Sequence, residues 1–164
     1  MWEILGGLLL GTAASGILPL VNAELLVVGV VVAAPEIGVP LVAAVSATGQ
    51  MLTKTMLFGF ARWAPGRLRG KARAALDRAS GAVTARGGAA SSLIFTSAVT
   101  GLPPFYGVSL AAGALGMRLR SFVVSGTAGR LVRFAAIAWA ARLAGQGATD
   151  LFASLAPVGA TVGG

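Results

Sequence analysis

Apolar residues run through this chain in four long stretches, 2–34, 39–63, 89–117 and 122–143, and two of the four are broken in the middle by proline. A helix that crosses a bilayer needs ~20 predominantly apolar residues. The stretches 39–63 and 122–143 are long enough to span. The stretch 2–34 is interrupted at Leu18-Pro19-Leu20-Val21-Asn22-Ala23-Glu24, and 89–117 at Gly101-Leu102-Pro103-Pro104. Each is left as two half-length apolar segments around a break, the pattern of a re-entrant hairpin that enters and leaves a membrane on one side. Irregular backbone at membrane depth survives only where protein or a water-filled cavity surrounds it.

Composition supports the bilayer reading. Only 11% of the 164 residues are charged and 56% are hydrophobic, against ~25% charged in soluble domains, and the mean hydropathy is +0.85. A soluble chain this apolar would expose patches prone to aggregation. The first residues, MWEILGGLLLGTAASG, have the outline of a signal peptide. Glu3 stands where a signal would carry Lys or Arg, so this segment is expected in the mature protein.

The net charge of +8 is concentrated. Lys54, Arg62, Arg67, Arg69, Lys71, Arg73, Arg78 and Arg86 fall in one third of the chain, between apolar runs. This is how a cytoplasmic loop looks under the positive-inside rule, and it argues against nucleic acid as the partner. Within 65–86, Leu68, Ala72, Ala75, Leu76, Ala79 and Val83 recur at helical spacing between the basic residues. The segment reads as an amphipathic helix at the cytoplasmic interface, with a solvated basic loop as the alternative. The Gly- and Ala-rich tail 145–164 has no assigned structure.

The halves share a motif. Ser46-Ala47-Thr48, Leu52 and Lys54 match Ser125-Gly126-Thr127, Leu131 and Arg133, both S-x-T-x-x-x-L-x-[K/R], and each follows a broken stretch. The four hydroxylated residues are small enough to let helices approach closely. The basic loop after residue 63 and Arg118 and Arg120 before residue 122 must share the cytoplasmic side. The spanning helices 39–63 and 122–143 then run in opposite directions. The expected fold is an all-α integral membrane protein in one membrane domain, an inverted repeat of re-entrant hairpin plus transmembrane helix. Its halves are 1–63 (hairpin 2–34) and 89–143 (hairpin 89–117), with hairpin breaks at Pro19, Pro103 and Pro104. Inverted repeats with broken helices meeting at mid-membrane are a transporter architecture.

Glu24, Lys54, Arg130 and Arg133 lie well inside apolar stretches, with Asn22 and Gln50 at similar depth. An unpaired charge at the bilayer centre costs ~2.5–3.5 kcal/mol on insertion scales, so these groups must be paired or wetted. Glu24 is expected to pair with Lys54, Arg130 or Arg133. One acid against three bases leaves a positive excess suited to a lipid phosphate, which arginine can grip with two hydrogen bonds. A buried lock that only holds the hairpins is the structural alternative, and Lys54 and Arg133 have stems long enough to snorkel. Tyr106 reads equally as ligand contact or packing aromatic.

There is no Cys and no His, and the five acids are Glu3, Glu24, Glu36, Asp77 and Asp150. Thiol and imidazole chemistry are therefore excluded. No carboxylate pair is available for general acid–base work, and no ligand set for a catalytic metal. No enzyme activity, cofactor or metal is expected.

Three segments resemble the VTT-domain superfamily, which includes the bacterial DedA proteins and the SNARE-associated Golgi proteins, and most closely its small YqaA-type members. Ile17-Leu18-Pro19 followed by Glu24 is similar to the first-hairpin motif. Ser46-Ala47-Thr48-Gly49-Gln50 through Phe58 and Arg62 is similar to the Gly-rich helix. Leu102-Pro103-Pro104-Phe105, Ala112-Gly113, Phe122 and Gly126 resemble the second hairpin and the helix after it. Together these cover residues 17 to 135. Many members carry an arginine shortly before the second-hairpin prolines, where this chain has Ser97-Ala98-Val99-Thr100. Arg130 and Arg133 are candidates to supply that charge.

The resemblance implies lipid handling. Members are associated with moving phospholipids or polyprenyl phosphate carriers between leaflets, as scramblases or gradient-driven flippases. It also points to a prokaryotic cytoplasmic (inner) membrane, with the loop 62–86 on the cytoplasmic side. The expected partners are membrane lipids, through anionic headgroups or polyprenyl phosphate, and the small bundle is compatible with a homodimer. Two other functions stay open: a proton- or ion-coupled carrier of a small solute, and a non-transporting assembly subunit.

Overall fold

A computed structural model describes residues 1–18, 21–63, 70, 74, 77 and 90–155, the last five as helical backbone. Pro19 and nearly all of the segment 65–86 lie outside the described residues. Six helices and no strand are found among the described residues: α1 (Trp2–Ser15), α2 (Ala23–Ala33), α3 (Val39–Trp63), α4 (Ala90–Thr100), α5 (Phe105–Ala114) and α6 (Leu119–Leu155). Among them, α6 is the one helix both long enough and apolar enough by composition to cross a membrane. The 25 residues of α3 are interrupted by Gln50, Thr53 and Lys54. The helix α6 runs past residue 143, where the apolar stretch ends, through Gly145 and Gly147 to Leu155.

Local chemistry sets the helix ends. Asn22 caps α2, its side-chain oxygen accepting from Glu24 N at 2.8 Å and Leu25 N at 3.4 Å, which satisfies two of the amides a helix start leaves free. The helix α4 stops at Gly101, φ +82°, before a cis Leu102–Pro103 peptide. Ser97 Oγ donates to Pro103 O at 2.5 Å, and Thr100 Oγ1 accepts from Leu102 N at 3.1 Å, so two α4 hydroxyls take up the polar groups of the break. Pro104 then stands at the N-cap of α5. That helix ends in a Schellman motif: Met117 N donates to Ala112 O and Gly116 N to Gly113 O, with Gly116 at φ +76°.

The antiparallel pair α3 and α6 forms the spine. The start of α3 (Val39, Val42, Ala43, Ala47) packs with the later part of α6 (Phe134, Ala138), enclosed by Leu5 and Leu8 of α1 and Val27 and Val31 of α2. At the other end, Met51, Phe58 and Ala61 of α3 pack with Phe122 of α6, enclosed by Ile94 and Ala98 of α4 and Phe105, Val108 and Ala111 of α5. The Phe122 ring stacks on Phe58, centroids 4.8 Å apart, and on Phe105 at 6.1 Å.

Exchanging the halves maps these contacts onto one another. As α1 packs on α3, α4 packs on α6, and as α2 packs on α6, α5 packs on α3. In both halves the first helix lies alongside the spine helix at a glycine. A Cβ on Gly49 would collide with Leu9 O and Thr12 Oγ1 of α1, and one on Gly129 with Phe95 O and Ala98 of α4. A bare Cα at each crossing is what lets the backbones approach. The outer surface stays apolar: Trp2, Leu10, Leu25, Val32, Met56, Trp63, Val124 and Trp139 are all exposed.

A polar cavity between the two helical pairs

Midway along the spine, a cavity of about 230 Å³ is lined by Ser15 at the end of α1, Asn22 and Glu24 at the start of α2, Gln50 of α3 and Arg130 of α6. It is smaller than the ~300–1,000 Å³ of pockets that enclose a drug-sized ligand.

Arg130 is the unusual member. It is 8% exposed, its Nε has no hydrogen-bond partner, and no ion pair reaches it among the described residues. Its guanidinium carbon lies 4.6 Å from the centre of the Phe105 ring. The ring offers a cation–π contact and fills no hydrogen bond. A buried guanidinium with open donors is costly unless something occupies them. Gln50 adds the opposite need. Its Nε2 donates to Ser15 Oγ at 3.1 Å, while its Oε1 is buried and unpartnered. The cavity thus presents donors for an anion beside one acceptor for a hydroxyl or ammonium.

The acid is engaged elsewhere. Glu24 Oε1 accepts from Arg133 Nε at 3.0 Å and from a second guanidinium nitrogen. Arg133 Nη1 donates to Val99 O at 2.7 Å. One side chain on α6 therefore joins the start of α2 to the end of α4, one helix from each half. The Arg133 guanidinium, from the neighbouring helix, thus stands at Val99 within 97–100.

Lys54 is placed differently. Its Nζ donates to Gly16 O at 2.7 Å, beyond the end of α1, and lies 5.4 Å from the centre of the Tyr106 ring. Lys54 and Arg133 close the shared motif of the two halves, and each caps the first helix of its own half. Glu24 and Tyr106 are likewise each the second residue of their helices, α2 and α5. Where one half has Arg133 on a carboxylate, the other has Lys54 over a phenol ring.

The structure brings Asn22, Glu24, Gln50 and Arg130 to one cavity and Arg133 to its edge through Glu24, while Lys54 does not line it. Pro103 and Pro104 sit in the α4–α5 turn, packed through Ser97. Sequence reading missed Ser15 and Phe105. The signal for Ser15 was a hydroxyl closing an apolar helix, and for Phe105 an aromatic directly after the proline pair.

The chain matches no family model, no curated protein and no solved structure.

Proposed function

We propose that this protein is an integral membrane protein that moves an anionic lipid between leaflets, the headgroup passing through the polar cavity while the acyl chains stay in the bilayer. The observation that carries this reading is Arg130, buried with its Nε unpartnered and with no hydrogen bond among the described residues, in a cavity of about 230 Å³. A phosphate would fill its open donors, and a glycerol or sugar hydroxyl on the same headgroup would satisfy Gln50 Oε1.

Several features support the membrane part. The outer surface is apolar on every helix pair, and α6 has spanning length and composition. The helices α1 (14 residues) and α2 (11 residues) are about 21 and 17 Å long, against ~30 Å of hydrocarbon. A pair of such helices suits a hairpin that returns to its own side. The α4–α5 pair is built alike, and the resemblance to VTT-domain proteins leads to the same function. The four inner faces then form a path in which Arg130 offers the charge and the Glu24–Arg133 pair closes one wall.

Translocation in liposomes containing the purified protein tests the reading. A headgroup-labelled phosphatidylglycerol reporter should exchange between leaflets faster than in protein-free liposomes, and faster than a phosphatidylcholine reporter. Rates equal to those of empty liposomes for both reporters, with the protein folded and inserted, would remove the scramblase reading. A gradient-driven carrier or a structural subunit would take its place.

A further inference from the structure

A second, separate groove lies at the end of the bundle where α3 finishes and α6 begins. It encloses about 740 Å³ and is lined by Arg62, Arg118 and Arg120 together with Phe58, Trp63 and Leu119. Among the described residues, no acidic side chain lines it. Arg62 is held in place by its bond to Met117 O at 2.9 Å. The first hydrogen bond of α6 runs from Phe122 N to Arg118 O, so the amides of Leu119, Arg120 and Ser121 open towards this same end. Three guanidinium groups and the positive end of a long helix converge where no acidic side chain stands among the described residues of the groove.

The apolar part of the groove is equally specific. Trp63 is 92% exposed, and it closes α3 one residue after Arg62. Met56 and Phe60, also exposed, lie on the flank of α3 leading to it. A soluble anion would use the arginines and leave this indole and the side chains beside it unsatisfied. A lipid uses both, with phosphate on the arginines and the upper acyl chain along Trp63 and the α3 flank. Trp is favoured at this depth because its ring is amphipathic.

We infer that this groove is a resident site for an anionic phospholipid of the leaflet facing the basic loop. The inference rests on the membrane placement proposed above and is independent of translocation through the central cavity. Arg67, Arg69, Lys71 and Arg73 follow Trp63 in the sequence, and a basic run of this kind beside a membrane-spanning helix attracts anionic lipid from which the groove selects. The site would anchor the depth of α3 and α6 by their shared end.

The test uses Trp63 as its own reporter. In a Trp2→Phe, Trp139→Phe background Trp63 is the only tryptophan, and its quenching by dibrominated phosphatidylglycerol is compared with that by dibrominated phosphatidylcholine in reconstituted bilayers. The site requires half-maximal quenching at about a tenfold lower mole fraction of the anionic lipid. The preference must collapse in Arg118→Gln, Arg120→Gln, whose side chains are exposed and make no hydrogen bond or ion pair among the described residues. Equal quenching by the two lipids would overturn the site and leave the membrane placement standing. A preference that survives the double substitution would assign it to the general charge of the surface and overturn the site as well. No quenching by either lipid would overturn the membrane placement itself.

Discussion

Lys54 and Arg133 hold the same post in the two halves of the molecule. Each donates a 2.7 Å hydrogen bond to a carbonyl at the C-terminal end of the helix that opens its own half, Gly16 O for Lys54 and Val99 O for Arg133. A cation there meets the negative end of a helix. Only Arg133 continues to a carboxylate, that of Glu24.

That difference predicts unequal costs. Arg133→Met leaves Glu24 half-buried without its partner and should destabilise the protein by about 2 kcal/mol. Lys54→Met orphans no acid and removes a buried charge, so its cost should stay below about 1 kcal/mol. Glu24→Gln combined with Arg133→Met should recover about 1 kcal/mol of the loss. Denaturant titration in micelles reads all three, and the reverse order for the two cations would contradict the pairing.

The helix crossings at Gly49 and Gly129 have no room for a methyl group, since the atoms in the way are mainly backbone. Gly49→Ala and Gly129→Ala should each cost about 1–3 kcal/mol by overpacking. At Gly29 a Cβ meets nothing, so Gly29→Ala should be neutral or stabilise by up to about 1 kcal/mol through helix propensity. Thermal unfolding midpoints of the three variants check this, and equal shifts would refute the close crossings.

Two buried serines make a controlled comparison. Ser97 Oγ donates to Pro103 O, whereas Ser46 Oγ is buried with no partner. Ser97→Ala frees a carbonyl in the α4–α5 turn and should cost about 1–2 kcal/mol. Ser46→Ala removes an unsatisfied hydroxyl and should be neutral or stabilising. The same unfolding assay separates them.

Much of the fold is legible in the sequence because its signals are strong and local. Apolar runs mark the spine helices, Pro103-Pro104 ends α4 and starts α5, and the S-x-T-x-x-x-L-x-[K/R] motif places Lys54 and Arg133 at matching points. The rest depends on helix rotation, which hydropathy leaves open. Three cations could have met Glu24, and the rotation of α6 decides for Arg133 while turning Arg130 towards Phe105. With apolar residues on all sides of these helices, no amphipathic stripe sets that angle. The end of α6 was hidden for another reason. Gly145 and Gly147 each cost a helix ~1 kcal/mol, yet Ala144, Ala148, Leu151 and Ala153 around them are good helix formers, and the helix continues.

Arg130 carries the central claim, because its buried Nε has no hydrogen-bond partner and no ion pair reaches it among the described residues. If it is there to hold a headgroup, the fold does not need its charge. The decisive measurement is Arg130→Met, followed for stability in micelles and for phosphatidylglycerol translocation in liposomes. Stability should be unchanged or higher, with translocation slowed at least about tenfold, equivalent to one lost charge-assisted contact of ~1.4 kcal/mol. Unfolding of the variant, or translocation at the native rate in a folded one, would show that the guanidinium serves the fold or nothing at all, and the account would fail.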